Sequence, residues 1–362
     1  NSIVDLLSLN IENYGFWIYS LLLAIIVFYT LGVEYNEWLI RIESKSLFIY
    51  NNDFFKETVL VPTGLLSYIS LFLTQFLHSP LIGATIFTLL LFFSAFITKV
   101  AYNISDRDSI IAFLPAVLIL IINGSIGYAL YTLKSPGFFF MPVLGYAIST
   151  TAVWGISRIK SPVLSIPAII IWCFLGYLSF GIYALAATVA VTVIQYKREC
   201  INVARIAILL FAVIFLVFTP LITYNLTTTV SSVSETFLLG IPNLTAGQHS
   251  SVFGTAFAIL IAIQIALSIY KPLPQAKAPS YLFLQSGILI IYLLSAYLCW
   301  FRDPNFKAEI AMSNAIDNNN WKEVCNIHKE ISDKYINSDR KAYEKLSAKA
   351  NIATSPAELE NL

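Results

Sequence analysis

The sequence predicts an all-α protein: a polytopic α-helical membrane domain of about nine spans, with interfacial helices in its first outer loop and a small helical-repeat C-terminal segment. Three observations predict it. The 362-residue chain is 57% hydrophobic and only 12% charged. Its charges fall between apolar runs of roughly 18 residues or more, the length a helix needs to cross a bilayer. Composition then changes abruptly after Phe301, where residues 302–362 become polar with a helical period. Backbone groups in lipid must be satisfied within the segment, which makes the spans helical.

The first span is expected from about Tyr14 to Val33. Next comes a long outer loop, residues 34–80, too rich in aromatics to be disordered. Its amphipathic run Thr63–His78 is too short to cross and reads as interfacial or re-entrant. The second span, Leu81–Thr98, closes at Lys99, Arg107 and two aspartates. The third, Ser109–Tyr131, contains Asn123, Gly124, Ser125 and Gly127, which predict a helix broken at mid-depth. A membrane tolerates such a break only where protein or water covers the freed backbone groups.

The fourth span, Phe138–Ile156, ends at Arg158 and Lys160. Residues 163–196 are apolar for almost twice a bilayer's thickness, with Gly176 and Gly181 near the middle, so two spans joined by a tight turn are expected. Ile206–Ile222, Val252–Tyr270 and Tyr281–Phe301 complete the nine. The domain boundary is placed at 301/302. Beyond it, helices are expected at Pro304–Asp317, Trp321–Lys334 and Asp339–Ala350. Ala311 and Ala315 before a turn, and Trp321 opening the next helix, read as one tetratricopeptide-type (TPR-like) unit. Such arrays need about three repeats to bury their faces, so the segment reads as the start of a longer array.

Charge orients the chain. Lys99, Arg107, Arg158, Lys160, Lys197, Arg198, Arg205, Lys271 and Lys277 fall in one set of alternate loops. The other set holds Arg41, Lys45, Lys56 and Lys134. The positive-inside rule then puts the N-terminus in the cytoplasm. Loop 34–80, loop 223–250 and the tail face outward, to a periplasm or, in a eukaryote, to a lumen. The net charge of +1 leaves no basic face for nucleic acid.

The outer loop carries the candidate chemistry. In a helix over 34–48, Glu34, Glu37, Arg41 and Lys45 share one face, with Trp38, Leu39, Ile42 and Ile49 on another. Glu43 lies off the charged face, where a carboxylate at a lipid–water boundary can act as a general base. Gln75 and His78 close the amphipathic run, and His249 sits in the second outer loop near Tyr224, Asn225 and Gln248. Glu34, Glu37 and Glu43 are the catalytic candidates. Arg41, Lys45, Gln75, His78 and His249 are the candidates for holding a lipid phosphate or substrate. No metal site is assigned, because two histidines lack a third ligand at useful spacing, and no cofactor is expected, a divalent metal apart. No Asp, Glu, Lys or Arg falls inside the apolar cores, which weighs against an ion-coupled carrier. Cys173, Cys200, Cys299 and Cys325 show no paired spacing and read as small hydrophobes.

This layout resembles the C-type (GT-C) membrane glycosyltransferases, with a cytoplasmic N-terminus, an acid-bearing first outer loop, interfacial helices and an outer C-terminal segment. The resemblance implies transfer of a sugar from a polyprenyl-phosphate donor at the outer face, with the acid near the first span (Glu34 or Glu37) and more loosely Glu43 carried over. The frequent Asp of that superfamily is absent here. A closer resemblance lies in RIESKSLFIYNNDFFKETVLVPTGLLSYISLFLTQFLHSP. Glu43, Leu47, Phe48, Pro62, Gly64, Leu65, Tyr68, Phe72, Leu73, Gln75 and Phe76 match a family of Bacteroidota inner-membrane proteins that joins this loop to a helical-repeat tail. Thr63 stands where that family often has a second Gly. It implies architecture, in a bacterial inner membrane whose outer side is the periplasm, rather than activity. The function expected is therefore polyprenyl-phosphate-dependent glycosyl transfer. The alternative is a non-enzymatic anchor or scaffold that binds periplasmic partners through residues 302–362.

Overall fold

A computed structural model describes residues 3–131, 137–198, 202–226, 232–242, 251–271 and 278–336. The fold is all-α, with no strand among the described residues. The chain divides into two compact units, residues 1–301 and 302–362.

In the larger unit α1 (Ile3–Tyr29) runs into one π-helical turn, Thr30–Glu34. The 34–80 segment holds α2 (Asn36–Ser44), α3 (Asn52–Val59) and α4 (Gly64–Thr74), the last extended by a 3-10 turn, Gln75–His78. Next come α5 (Pro80–Ala101), a 3-10 turn Ser109–Phe113 and α6 (Leu114–Gly124). A second 3-10 turn, Gly127–Tyr131, precedes α7 (Met141–Ser157). Then α8 (Pro162–Ile171) passes through a π turn, Trp172–Gly176, into α9 (Tyr177–Phe180). The unit ends with α10 (Ile182–Arg198), α11 (Asn202–Leu226), α12 (Val233–Phe237), α13 (Ser251–Ala266) and α14 (Ala278–Cys299).

Among the described residues, five stretches are long and apolar enough to cross a membrane: Tyr14–Glu34, Pro80–Ala101, Val163–Phe180, Val203–Leu226 and Val252–Ile269. Their exposed side chains are apolar, among them Leu21, Ile25, Leu81, Leu89, Ile206 and Leu210. A surface of that kind is compatible with lipid as the solvent of a multi-pass membrane protein.

Hydrogen bonds sort the connections into two belts at opposite ends of the bundle. At one end the Thr63 N–H donates to Leu178 O (2.7 Å), Ile182 N–H to Leu239 O (2.8 Å) and Phe301 N–H to Gly124 O (2.7 Å). At the other, Gln195 Nε2 donates to Ile156 O (3.0 Å), Lys197 Nζ to Ser268 O (3.2 Å) and Gln285 Nε2 to Arg107 O (3.2 Å). There the Lys99 ammonium also pairs with Asp106, and the Tyr270 hydroxyl donates to Asp108. The passes α6, α7, α10 and α14 run from one belt to the other, although they are shorter or less apolar than the five. The four connections that the sequence grouped as basic therefore share one end.

Inside the bundle α5, α7, α10 and α13 enclose Phe87, Tyr146, Tyr183 and Phe257, all fully buried. Polar pairs tie the helices together. Thr98 Oγ1 and the Tyr146 hydroxyl lie 3.0 Å apart, and Gln264 Nε2 donates to Ser149 Oγ at 2.7 Å. With no hydrophobic force between helices in lipid, such bonds and close packing hold the bundle.

The expected hairpin of 163–196 turns at Gly181, whose φ of +59° and backbone approach to Leu239 O exclude a Cβ. The expected break in the third span is present between α6 and the Gly127–Tyr131 turn. It lies at the belt that carries residues 34–80 rather than halfway along the span, because the end of α14 closes over it. The smaller unit contains a helical hairpin, α15 (Pro304–Asp317) and α16 (Trp321–Ile336), turned at Asn319. Asp303 caps α15 by accepting from the Asn305 N–H (2.9 Å). The third helix expected there, 339–350, lies outside the described residues.

Candidate functional site

Helix α2 organises the site. Tyr35 leaves helical geometry after the π turn, and its N–H donates to Thr30 O (2.9 Å), so the chain restarts at Asn36 in a new direction. The Asn36 Oδ1 atom accepts from the Glu37 N–H (2.8 Å). One face of α2 buries Trp38, Leu39 and Ile42, as the spacing predicts, whereas Ile49 falls beyond the helix and is exposed.

Arg41 and Lys45, one turn apart, converge on a single ring. The guanidinium carbon lies 5.9 Å from the centroid of Tyr131, and Lys45 Nζ lies 5.8 Å from it. A cation over an aromatic face gains about 0.5–1 kcal/mol at an exposed site and more where desolvated. Tyr131 ends the 3-10 turn that follows the break in α6, so the broken span delivers the platform and the loop helix delivers the charges.

The break itself is covered by protein. Phe301 N–H satisfies Gly124 O, and Asn123 Nδ2 donates to Phe139 O (3.0 Å). The Trp38 ring meets Phe139 edge-on at 5.7 Å and Trp300 at 6.1 Å, while Tyr35 packs on Trp300 at 5.4 Å. Two polar atoms here have no hydrogen-bond partner: the donor Trp38 Nε1 and the acceptor Asn123 Oδ1, on residues only 5% and 2% exposed. Buried polar groups are nearly always satisfied, so this pair is a place where a bound polar group would gain.

Glu43 and His78, predicted separately, are brought together. Glu43 Oε2 lies 3.9 Å from His78 Nδ1, where the Gln75–His78 turn packs on α2. The His78 side chain is 83% exposed and that of Glu43 is 30% exposed. Side chains two residues apart on a helix do not face each other. Glu43 therefore points away from Arg41 and the Tyr131 platform, whereas Glu37 precedes Arg41 by one turn on the same face. At the end of α2, Ser46 Oγ accepts from the Gly137 N–H (3.4 Å), which holds the segment before α7 against the helix.

The other sequence candidates are placed as follows. Glu34 is exposed at the end of the π turn, and Tyr35 separates it from α2, so it does not share a continuous helix with Arg41. Gln75 is half-buried at the start of its 3-10 turn. His249 and Gln248 lie outside the described residues. Asn225 Nδ2 donates to Leu221 O (3.0 Å) within its own helix. Among the described residues no three His, Cys, Asp or Glu side chains group as metal ligands. Sequence reasoning missed Tyr131 and Trp300. An aromatic residue just beyond a broken span was the available signal for Tyr131, while Trp300 reaches the site only through the packing of α14.

No curated protein and no solved structure matches the chain. Residues 12–342 match the model of a family of unknown function (DUF6057). With the 34–80 segment and the break after α6 both inside that match, the chain belongs to the DUF6057 family.

Proposed function

We propose that the protein is a membrane-embedded transferase of the GT-C kind that takes a sugar from a polyprenyl-phosphate donor. The observation that carries this reading is the convergence of Arg41 and Lys45 on Tyr131, beside the unpaired Trp38 Nε1 and Asn123 Oδ1. Two cations and a buried donor suit an anionic phosphate, and the exposed apolar walls of the neighbouring helices suit a long isoprenoid chain. In this reading the basic belt is the cytoplasmic end of the bundle, and the site lies at the periplasmic face of an inner membrane.

In this reading Glu37, on Arg41's face, takes the proton of the acceptor hydroxyl. The acceptor oxygen bonds to the anomeric carbon, and the carbon–oxygen bond to phosphate breaks. The departing lipid phosphate stays on Arg41 and Lys45. General-base help of this type contributes about 10²–10⁴-fold. The test is glycan transfer by membranes carrying Glu34→Gln, Glu37→Gln or Glu43→Gln, with lipid retention measured on the same samples. Loss of transfer in Glu37→Gln with lipid retained supports the assignment. Full activity in all three variants removes the carboxylate mechanism.

A second reading rests on the smaller unit. Its α15–α16 hairpin, TPR-like in the proposed sense, exposes Trp321, a residue type enriched at interface hot spots. An anchor that recruits periplasmic proteins would co-purify with stoichiometric protein partners and without polyprenyl lipid.

A further inference from the structure

Trp38 Nε1 and Asn123 Oδ1 are both buried without a hydrogen-bond partner, and they border the same two aromatic rings. The Trp38 indole meets Phe139 at 5.7 Å and Trp300 at 6.1 Å between ring centroids. The Asn123 amide donates to Phe139 O at 3.0 Å, and the Trp300 ring packs on the adjacent Gly124, where a Cβ would lie 2.2 Å from it. Phe139 is fully buried, so water is screened from this place and a hydrogen bond made in it is strengthened.

The two atoms are chemical opposites. An indole N–H can only donate. Phe139 O can only accept, so the Asn123 amide must turn its NH₂ group to that carbonyl, and its free end is the oxygen, an acceptor. A phosphate oxygen here would accept from the indole but set its lone pairs against Asn123 Oδ1. An ammonium group would donate to the amide oxygen and leave the indole unserved. A hydroxyl accepts from one atom and donates to the other. A buried polar atom left unpaired costs more than an ordinary hydrogen bond contributes, so a group that completes both is strongly favoured.

The elements that carry this pair also carry the cation platform. Trp38 stands one turn before Arg41 on α2, and Asn123 lies in the last turn of α6, the helix whose broken continuation ends at Tyr131. A phosphate resting on Arg41 and Lys45 thus places whatever it carries beside the pair.

Resting on the transferase reading of this site, we propose that Trp38 and Asn123 bind one hydroxyl of the neutral sugar attached to the polyprenyl phosphate, and so select the glycosylated lipid over the bare lipid phosphate. Arg41 and Lys45 hold what the two lipids share, and the pair reads what distinguishes them. A water held permanently between the two atoms has the same O–H chemistry, and the test separates the two sources.

The test is thermal unfolding of the full chain in a neutral detergent without a sugar headgroup. It is titrated with undecaprenyl phosphate and with undecaprenyl-phosphate-linked glucose, galactose or mannose. At least one sugar lipid is expected to half-saturate at a concentration about tenfold or more below that of the bare lipid phosphate, the effect of two neutral hydrogen bonds. Trp38→Phe keeps a ring and removes the donor, and it should lose that preference. Trp154→Phe, near the other end of the bundle on α7, should keep it. Should Trp38→Phe not fold, deoxy analogues of the preferred sugar lipid decide on the unmutated chain: one of them must bind no better than undecaprenyl phosphate. Sugar lipids that bind no better than the bare lipid phosphate overturn this inference alone. If lipid-free Trp38→Phe is then also less stable than wild type, the pair belongs to a permanent water. A preference that survives in Trp38→Phe overturns it equally. If none of these lipids binds, the transferase reading fails and this inference falls with it.

Discussion

Gly64→Ala gives the sharpest test of how the 34–80 segment is built. The chain leaves α3, turns through Thr63 in the left-handed region at φ 64°, and enters α4 at Gly64. A Cβ added at Gly64 would lie 1.8 Å from Thr58 O, 2.8 Å from Thr58 C and 2.9 Å from Val59 Cα. All three are backbone atoms, so no rotamer change relieves them. Ordinary contact needs roughly 3.5 Å, so the end of α3 would have to move by more than about 1 Å. The Phe55–Tyr68 contact (4.9 Å between ring centroids), which joins α3 to α4, would move with it.

Overpacking against a core costs typically 1–3 kcal/mol. With only backbone available to yield, the cost belongs at the upper limit, about 3 kcal/mol. For a domain of this size that is a fall in unfolding midpoint of about 5 °C. The assay is fluorescence-detected thermal unfolding in detergent, with Gly155→Ala and Gly254→Ala as controls. Nothing lies within 4 Å of a Cβ at either position. Both sit in helices, α7 and α13, where Ala gains about 0.5–1 kcal/mol over Gly. A Gly64→Ala protein that unfolds within about 1 °C of wild type (roughly half a kcal/mol) would refute the close backbone packing of α3 on α4.

Three further outcomes are expected. Gly124→Ala would place a Cβ 2.2 Å from the Trp300 ring, so it and Trp300→Ala should each destabilise by about 2 kcal/mol, yet the double variant should fall short of their sum by about 1 kcal/mol or more in a thermal-unfolding cycle. Tyr131→Leu removes the platform under both cations and should lower co-purified anionic polyprenyl lipid, measured by mass spectrometry, whereas Tyr131→Phe should retain it. Tyr270→Phe deletes the hydrogen bond to the buried Asp108 and should cost about 1–2 kcal/mol at neutral pH. Burial, and then the Asp108 carboxylate, raise the Tyr270 phenol above its ordinary value of 10.0. The folded protein thus holds that proton more tightly than the unfolded chain, and the stabilisation is full below pH 10 and lost as pH rises through the shifted value. Wild type should accordingly lose more stability than Tyr270→Phe between pH 9 and strongly alkaline pH (roughly 11 or above), measured by thermal unfolding across that range.

The sequence by itself determined the class of this protein and the order of its elements. Apolar runs of bilayer length leave the backbone no choice but helix. The Gly181 turn, the break at Asn123–Gly127, the burial of Trp38, Leu39 and Ile42 on α2 and the change of character after Phe301 all follow from local composition and spacing. Tertiary structure alone decided which charges meet. Arg41 and Lys45 reach Tyr131, about ninety residues on, because α2 crosses the end of a broken span. Glu43 finds His78 because the Gln75–His78 turn folds back on the same helix. Trp300 closes the break because α14 ends where α6 does. Helical periodicity sets the face on which a side chain stands, but the partner opposite that face depends on how helices far apart in the chain pack, and no local pattern encodes that.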